Sequence, residues 1–165
     1  MRKRLFSFLC ALALLLIFIS SVFSLASCRK NPSPYILMQE FSKAYGVDGT
    51  IFSPAVKEGD DGYANEDFFE LIFRETPEYV SDYAVLFLSR LDRVGECALL
   101  LCYSDYDALV ACDVLRRRVD LLKSMGASTD TSYVTNAVVF KSGKYAIMCA
   151  LSDNERAERL WRKIL

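Results

Sequence analysis

Residues 83–122 read YAVLFLSRLDRVGECALLLCYSDYDALVACDVLRRRVDLL, and this stretch decides the fold. Residues 83–91 and 96–103 are rich in aliphatic and aromatic side chains and are separated by Asp92-Arg93-Val94-Gly95, so they predict a β-hairpin with a four-residue turn. Ser104 then stands three residues before Asp107, the spacing of a capping box. After it, Ala108, Ala111, Cys112, Leu115, Val119 and Leu122 recur at helical spacing, with Gly126 placed to cap the C-terminus. The pattern is strand, strand, helix.

Downstream the pattern repeats. Residues 134–140 and 145–151 predict a second hairpin around Ser142-Gly143, with Phe140 opposite Tyr145 and Val138 opposite Ile147. Alternation puts Val138, Phe140, Tyr145 and Ile147 on one face, and Ala137, Val139, Ala146 and Met148 on the other. Both faces are apolar, so both need covering. Ser152 with Glu155 predicts the cap of a last helix that buries Ala157, Leu160, Trp161 and Ile164. The expectation is a two-layer α+β domain of four mainly antiparallel strands in β-β-α-β-β-α order, with both capped helices on one face.

Upstream lies a helical preface. Ile36, Leu37, Phe41, Ala44 and Tyr45 share a helix over residues 35–45 that Gly46 stops, and Asn65 caps another that runs to about Arg74 before Pro77. Phe69, Ile72 and Phe73 are its expected buried residues, and with Phe68 they, or a partner, would cover the second sheet face. Glycines and acids crowd residues 47–64, which predicts an irregular loop.

The N-terminus determines the compartment. Arg2, Lys3 and Arg4 precede an apolar run over residues 5–23, and Leu25-Ala26-Ser27-Cys28 follows, the charge, hydrophobic and small-residue order of an export signal. That tetrapeptide resembles the lipobox of bacterial lipoproteins. The resemblance implies that residues 1–27 are removed and that Cys28 becomes an acylated first residue. The alternative is an uncleaved membrane helix, since the run approaches the length of a bilayer span. Either way the bulk of the chain lies outside, because the leading cations favour a cytoplasmic start. Residues 28–34 then form a lipidated tether, residues 35–165 a single domain, and the location is the extracytoplasmic face of the cell membrane.

The leader would take three of the chain's 20 basic residues and none of its 21 acidic ones, leaving 17 against 21. A mildly acidic domain argues against nucleic acid as a partner, because phosphate binding needs a basic face.

The mature region also resembles a family of small bacterial lipoproteins defined by a domain of unknown function. The likeness rests on Glu96 opening the second strand, Arg118-Val119-Asp120-Leu121-Leu122, Asn136-Ala137-Val138, Gly143-Lys144-Tyr145 and Ser152. It implies fold and location, and it transfers no catalytic residue.

The remaining constellations carry little chemistry. Cys97 and Cys102 lie five apart on one predicted strand and point to opposite faces, so they cannot bond to each other. With Cys112 and Cys149 they are expected as buried free thiols, with a single disulfide or a metal site as the alternatives. The chain has no histidine, so the commonest transition-metal ligand is missing, and no metal or cofactor is expected. Glu58, Asp60, Asp61, Asn65, Glu66 and Asp67 read as a solvated acidic loop rather than a calcium site. Arg116, Arg117 and Arg118 fan around a helix, and with Lys123, Arg156, Arg159 and Arg162 they offer solvated faces or an anion-binding surface. Tyr103, Tyr106 and Tyr145 are the candidate ligand-binding residues; Tyr79, Tyr83 and Tyr133 share their apolar body and polar tip. Paired carboxylates such as Glu75 and Glu78 are the residue type that sugar hydrolysis needs, but acids at this density are ordinary. The sequence favours a non-enzymatic envelope interaction domain over a small-ligand or glycan-binding module, and either over a hydrolase.

Overall fold

The computed structural model describes residues 31–89, 95–125 and 132–165. In chain order these form α1 (Pro34–Tyr45), β1 (Gly49–Phe52), α2 (Glu66–Phe73), β2 (Val80–Leu88), β3 (Glu96–Cys102), α3 (Asp105–Ser124), α4 (Ser132–Thr135), β4 (Val138–Ser142), β5 (Tyr145–Ala150) and α5 (Asn154–Ile164). The strands make one antiparallel sheet in the order β1-β2-β3-β5-β4. The fold is α+β, as expected, with a fifth strand in place of the expected four.

The extra strand is β1, inside the segment expected to be irregular. Four residues are too few to display alternation, and the strand exists because Gly49 lets its backbone approach β2. A Cβ on Gly49 would meet the Phe87 carbonyl oxygen at 2.2 Å. The loop beyond it is irregular but ordered around buried Ser53, whose N–H donates to the Gly62 carbonyl at 2.9 Å. Gly62 has φ 91, and a Cβ there would lie 2.4 Å from the Ile51 carbonyl oxygen.

Capping explains most helix boundaries. Gly46 adopts φ 79 and closes α1 by donating its N–H to the Ser42 carbonyl. The Asn65 side chain accepts from the Phe68 N–H at 3.1 Å, and Arg74, in the left-handed region at φ 59, ends α2 before Pro77 is reached. Ser104 accepts from the Asp107 N–H at 3.1 Å, and the whole stripe predicted for α3 is buried, with Val114 added. Gly126 and the turn residues 92–94 lie outside the described residues.

Three local expectations are corrected. The cap of α5 is Asp153, whose carboxylate accepts from the Arg156 N–H at 2.8 Å, while Ser152 lies 3.3 Å from the Tyr45 hydroxyl. Residues 134 and 135 belong to the short helix α4, and β4 begins only at Val138. The second hairpin pairs Ser142 with Tyr145, Phe140 with Ile147 and Val138 with Cys149, two residues from the expected register. Gly143, at φ 53, takes the first central position of a two-residue loop, tighter than the sequence suggested. Because the slip is an even number of residues, each strand residue still faces the side that was expected.

The larger correction concerns layers. Helices α2 and α3 pack on the sheet face that carries Tyr83, Val85, Ala98, Leu100, Ala146 and Met148. The opposite face, with Ala84, Leu86, Cys97, Leu99, Ile147 and Cys149, is covered by α1 and α5. The two capped helices therefore lie on opposite faces, and the domain has three layers. A helix stripe specifies that it is buried and leaves open which side of the sheet receives it. With both faces apolar, each takes two of the longer helices, and Val134 of the short α4 adds to the α2 and α3 side.

Candidate functional site

The N-terminal approach to the domain is fastened at one end of the sheet. The Tyr145 hydroxyl donates to the Pro32 carbonyl at 2.7 Å, and the Ser33 hydroxyl donates to Asp82 at 3.3 Å. Tyr145 opens β5, so alternation turns its ring inward beneath the incoming chain. Burial pushes the Tyr145 hydroxyl up to about 12, with the nearby Asp82 carboxylate contributing. Burial also raises the Asp82 carboxyl, against the opposing pull of the Tyr83 N–H and the Ser33 hydroxyl. Pro32 and Ser33, within the span expected to be tether, are thus bonded to the domain.

The three candidate tyrosines do not converge on a ligand. Tyr145 is buried with its hydroxyl engaged, whereas Tyr103 and Tyr106 are 61% and 73% exposed at the start of α3. Leu109, 52% exposed, follows Tyr106 by three residues and extends an apolar stripe along that helix. Lys141 pairs with Asp105 at 3.4 Å beside this stripe. Among the other tyrosines, Tyr83 donates to the Asn65 carbonyl at 2.6 Å and ties β2 to the cap of α2. The Tyr79 hydroxyl is buried without a hydrogen-bond partner among the described residues, and burial raises its pKa to about 12.

The cationic candidates are dispersed. Arg116 pairs with Asp113, Arg117 with Glu75 and Arg118 with Glu96, as the angular spread of three consecutive helical residues requires. Arg156 lies over the Tyr45 ring at 4.8 Å, Arg159 pairs with Glu155, and Arg162 pairs with Glu158. Since α3 and α5 flank opposite faces of the sheet, these residues form no common anion-binding surface. Glu75, engaged by Arg117, is the one member of the carboxylate pair with an ion-pair partner in the described structure. The acidic side chains of residues 58, 60, 61, 66 and 67 are exposed. Among the described residues no group of three or more Cys, Asp or Glu is arranged to hold a metal.

Sequence reasoning missed the buried Glu96–Arg118 pair. Arg118 donates from Nε to both Glu96 carboxylate oxygens at 3.1 and 3.2 Å, from Nη2 to Oε2 at 2.6 Å, and from Nη1 to the Ile72 carbonyl at 3.2 Å. One guanidinium therefore links β3, α3 and the last turn of α2, where it satisfies a helix-end carbonyl. Glu96 is 1% exposed, and burial raises its carboxyl despite Arg118. The signal was present: an acid opening an otherwise apolar strand needs a cation, and Arg118 shares a helix stripe with Leu115 and Leu122.

All four described cysteines are buried free thiols. Burial pushes Cys102 up to about 12 and Cys149 well above its ordinary value, and it raises Cys112 despite Arg116. These thiols are protonated at neutral pH, so the nucleophilic thiolate form is scarce. Cys97 and Cys102 do point to opposite faces, one in each core layer.

A cleft of about 320 Å³ lined by Tyr63, Asn65, Asp82 and Tyr83 among others lies at the Tyr145 end of the sheet, and two more lie at the opposite end. One of about 680 Å³ is lined by Asn136, Leu151, Asp153, Asn154 and Glu155 among others, and another of about 390 Å³ by Gly46, Asp48, Ser89 and Ser152 among others. No helix among the described residues is long and apolar enough to cross a membrane. Leu25, Ala26, Ser27 and Cys28 lie outside the described residues. Comparisons of the chain with known protein families, with curated proteins and with solved structures found no match.

Proposed function

We propose that the chain is a bacterial lipoprotein, acylated on Cys28, whose domain acts without catalysis as an envelope interaction module on the extracytoplasmic face of the cell membrane. The observation that carries this reading is the lipobox-like Leu25-Ala26-Ser27-Cys28 followed, four residues on, by a Pro32 fastened to Tyr145. Under this reading the anchor leads into the domain at the Tyr145 end of the sheet, where Pro32 is fastened. Two acyl chains make such anchoring stable where one would be marginal. Exposed Tyr103 and Tyr106 lie near the same end and suit a membrane–water interface, where an apolar ring with a polar tip is favoured. The opposite end, with the clefts lined by Asn136 and by Asp48, is then presented to the envelope space.

Metabolic labelling with a clickable fatty acid tests this reading. Label should appear on the wild-type chain and vanish in Cys28→Ala, which should also lose membrane retention. Absence of label from the wild type would refute it.

The second reading is a small-ligand or glycan-binding lipoprotein. Its support is the cleft of about 680 Å³, within the size range of ligand sites and lined by Asn136, Asp153, Asn154 and Glu155. Under that reading a thermal-shift screen with wall fragments and sugars gives a saturable stabilisation that Asn136→Ala abolishes. A flat screen would leave the interaction module as the better account.

A further inference from the structure

Cys97 and Cys149 face each other across β3 and β5. They are direct partners in the register, each is wholly buried, and their sulfurs are 3.5 Å apart. The backbone pattern makes this proximity chemically significant. The Cys102 N–H donates to the Lys144 carbonyl at 2.9 Å, which marks residues 102 and 144 as a hydrogen-bonded pair. Hydrogen-bonded and non-hydrogen-bonded pairs alternate along an antiparallel ladder, so five steps along an unbroken register place Cys97 and Cys149 at a non-hydrogen-bonded position. There the Cα atoms approach to about 4.5 Å, inside the roughly 4.4 to 6.8 Å that a disulfide spans. The other two thiols cannot compete in the folded domain, because Cys102 and Cys112 belong to the core layer on the far side of the sheet.

We propose that Cys97 and Cys149 are a dithiol that closes into a cross-strand disulfide through exchange with a disulfide donor, either a small-molecule disulfide or the oxidised dithiol of an oxidoreductase. In the first step, the thiolate of one cysteine attacks a sulfur of the donor. A protein–donor mixed disulfide forms, and one donor thiolate leaves. In the second step, the other cysteine's thiolate attacks the protein-side sulfur of that mixed disulfide, forms the Cys97–Cys149 bond and expels the second donor thiolate. Two protein thiols are oxidised, one donor disulfide is reduced to two thiols, and the two protein protons pass to the departing thiolates.

The timing follows from what covers the pair. Ala157 and Trp161 of α5 and Leu37, Met38 and Phe41 of α1 share this core layer, and Trp161 stacks on Phe41 with ring centroids 4.4 Å apart. No donor reaches the sulfurs while both helices are seated. Exchange therefore belongs to folding, before the C-terminal helix docks, or to a state in which α5 has lifted. Once formed, the bond joins strands whose cysteines are 52 residues apart and is shielded from reductants by the same helices.

The test is refolding of the full chain from denaturant in a buffer of reduced and oxidised glutathione, then alkylation under denaturing conditions and peptide mapping. The expected result is a linked peptide pair containing Cys97 and Cys149, lighter by two hydrogens than the sum of its parts, with Cys102 and Cys112 alkylated. The oxidised chain should also melt at a higher temperature than the reduced one, and that difference should vanish in a Cys97→Ala/Cys149→Ala variant. Recovery of Cys97 and Cys149 as alkylated thiols, as stable glutathione adducts or paired with other cysteines would overturn the proposal. The readout is the same whether or not Cys28 is acylated, so it stands apart from the anchoring proposal.

Discussion

The two faces of the sheet are held by different physics. On the α2 and α3 side, polar links run through the apolar core: Arg118 joins three elements through Glu96 and the Ile72 carbonyl, and Tyr83 bonds the Asn65 carbonyl. On the α1 and α5 side, the contacts over the strands are apolar and aromatic, centred on the Phe41–Trp161 stack, which shares its layer with the Cys97 and Cys149 sulfurs. Apart from the contact between the Cys97 and Cys149 sulfurs, the polar links on this second side lie towards its ends, where Tyr45, Ser152 and Asp153 meet and where Tyr145 bonds Pro32. The first face therefore gains directional specificity, because a charged fork accepts few alternative packings. The second depends on shape and can separate without leaving a buried charge unpaired. That difference makes α5 the element best suited to lift and expose the cysteine pair.

Breaking the polar face should have the largest effect. Glu96→Ala strands a guanidinium that cannot shed its proton, and such a loss costs about 3 to 5 kcal/mol. Chemical denaturation should show this, and Glu96→Leu/Arg118→Met should recover most of it, because replacing both members removes the uncompensated charge. Met38→Ala, on the wholly buried, sheet-facing side of α1, tests the shape-dependent face. It should cost about 2 to 5 kcal/mol through lost transfer energy and a residual cavity. No second substitution at a polar partner should rescue it, which is the contrast with Glu96. Asn65→Ala sharpens the picture on the first face, since losing the α2 cap should cost about 1 kcal/mol in the same measurement.

The smallest effect is a pH dependence. Glu96 and Asp82 both have carboxyl groups raised in the folded state. Between the unfolded and folded pKa values of each, the folded chain binds more protons than the unfolded one, so stability falls as pH rises. The contribution is whole below the unfolded value and gone above the folded one. Asp82→Asn should flatten the acid side of the stability–pH curve and change stability at neutral pH by no more than about 0.5 kcal/mol. A curve unchanged by the substitution would show that burial does not perturb Asp82.

What could be read from the sequence follows from how local each feature is. The stripe from Ala108 to Leu122 was legible because period and cap lie within one element, and the facing of each strand residue was legible because alternation survived even a two-residue error in register. Strand β1 was illegible because Gly49–Phe52 is short and is specified by the backbone of β2. The side of the sheet that each helix covers was equally hidden, since α3 and α5 carry the same kind of stripe and only the connections decide between faces. The contact between Cys97 and Cys149 needed β3 beside β5, an adjacency that no local signal encodes. The same is true of Tyr145, whose inward turn was predictable while its partner Pro32, 113 residues away, was not.

The central claim is that Cys28 is the acylated first residue of the finished protein. Intact-mass analysis of the chain extracted from membranes tests it most directly. The account predicts a protein that begins at Cys28 and carries the added mass of a diacylglycerol, whereas a chain still beginning at Met1, or cleaved elsewhere without lipid, would contradict it.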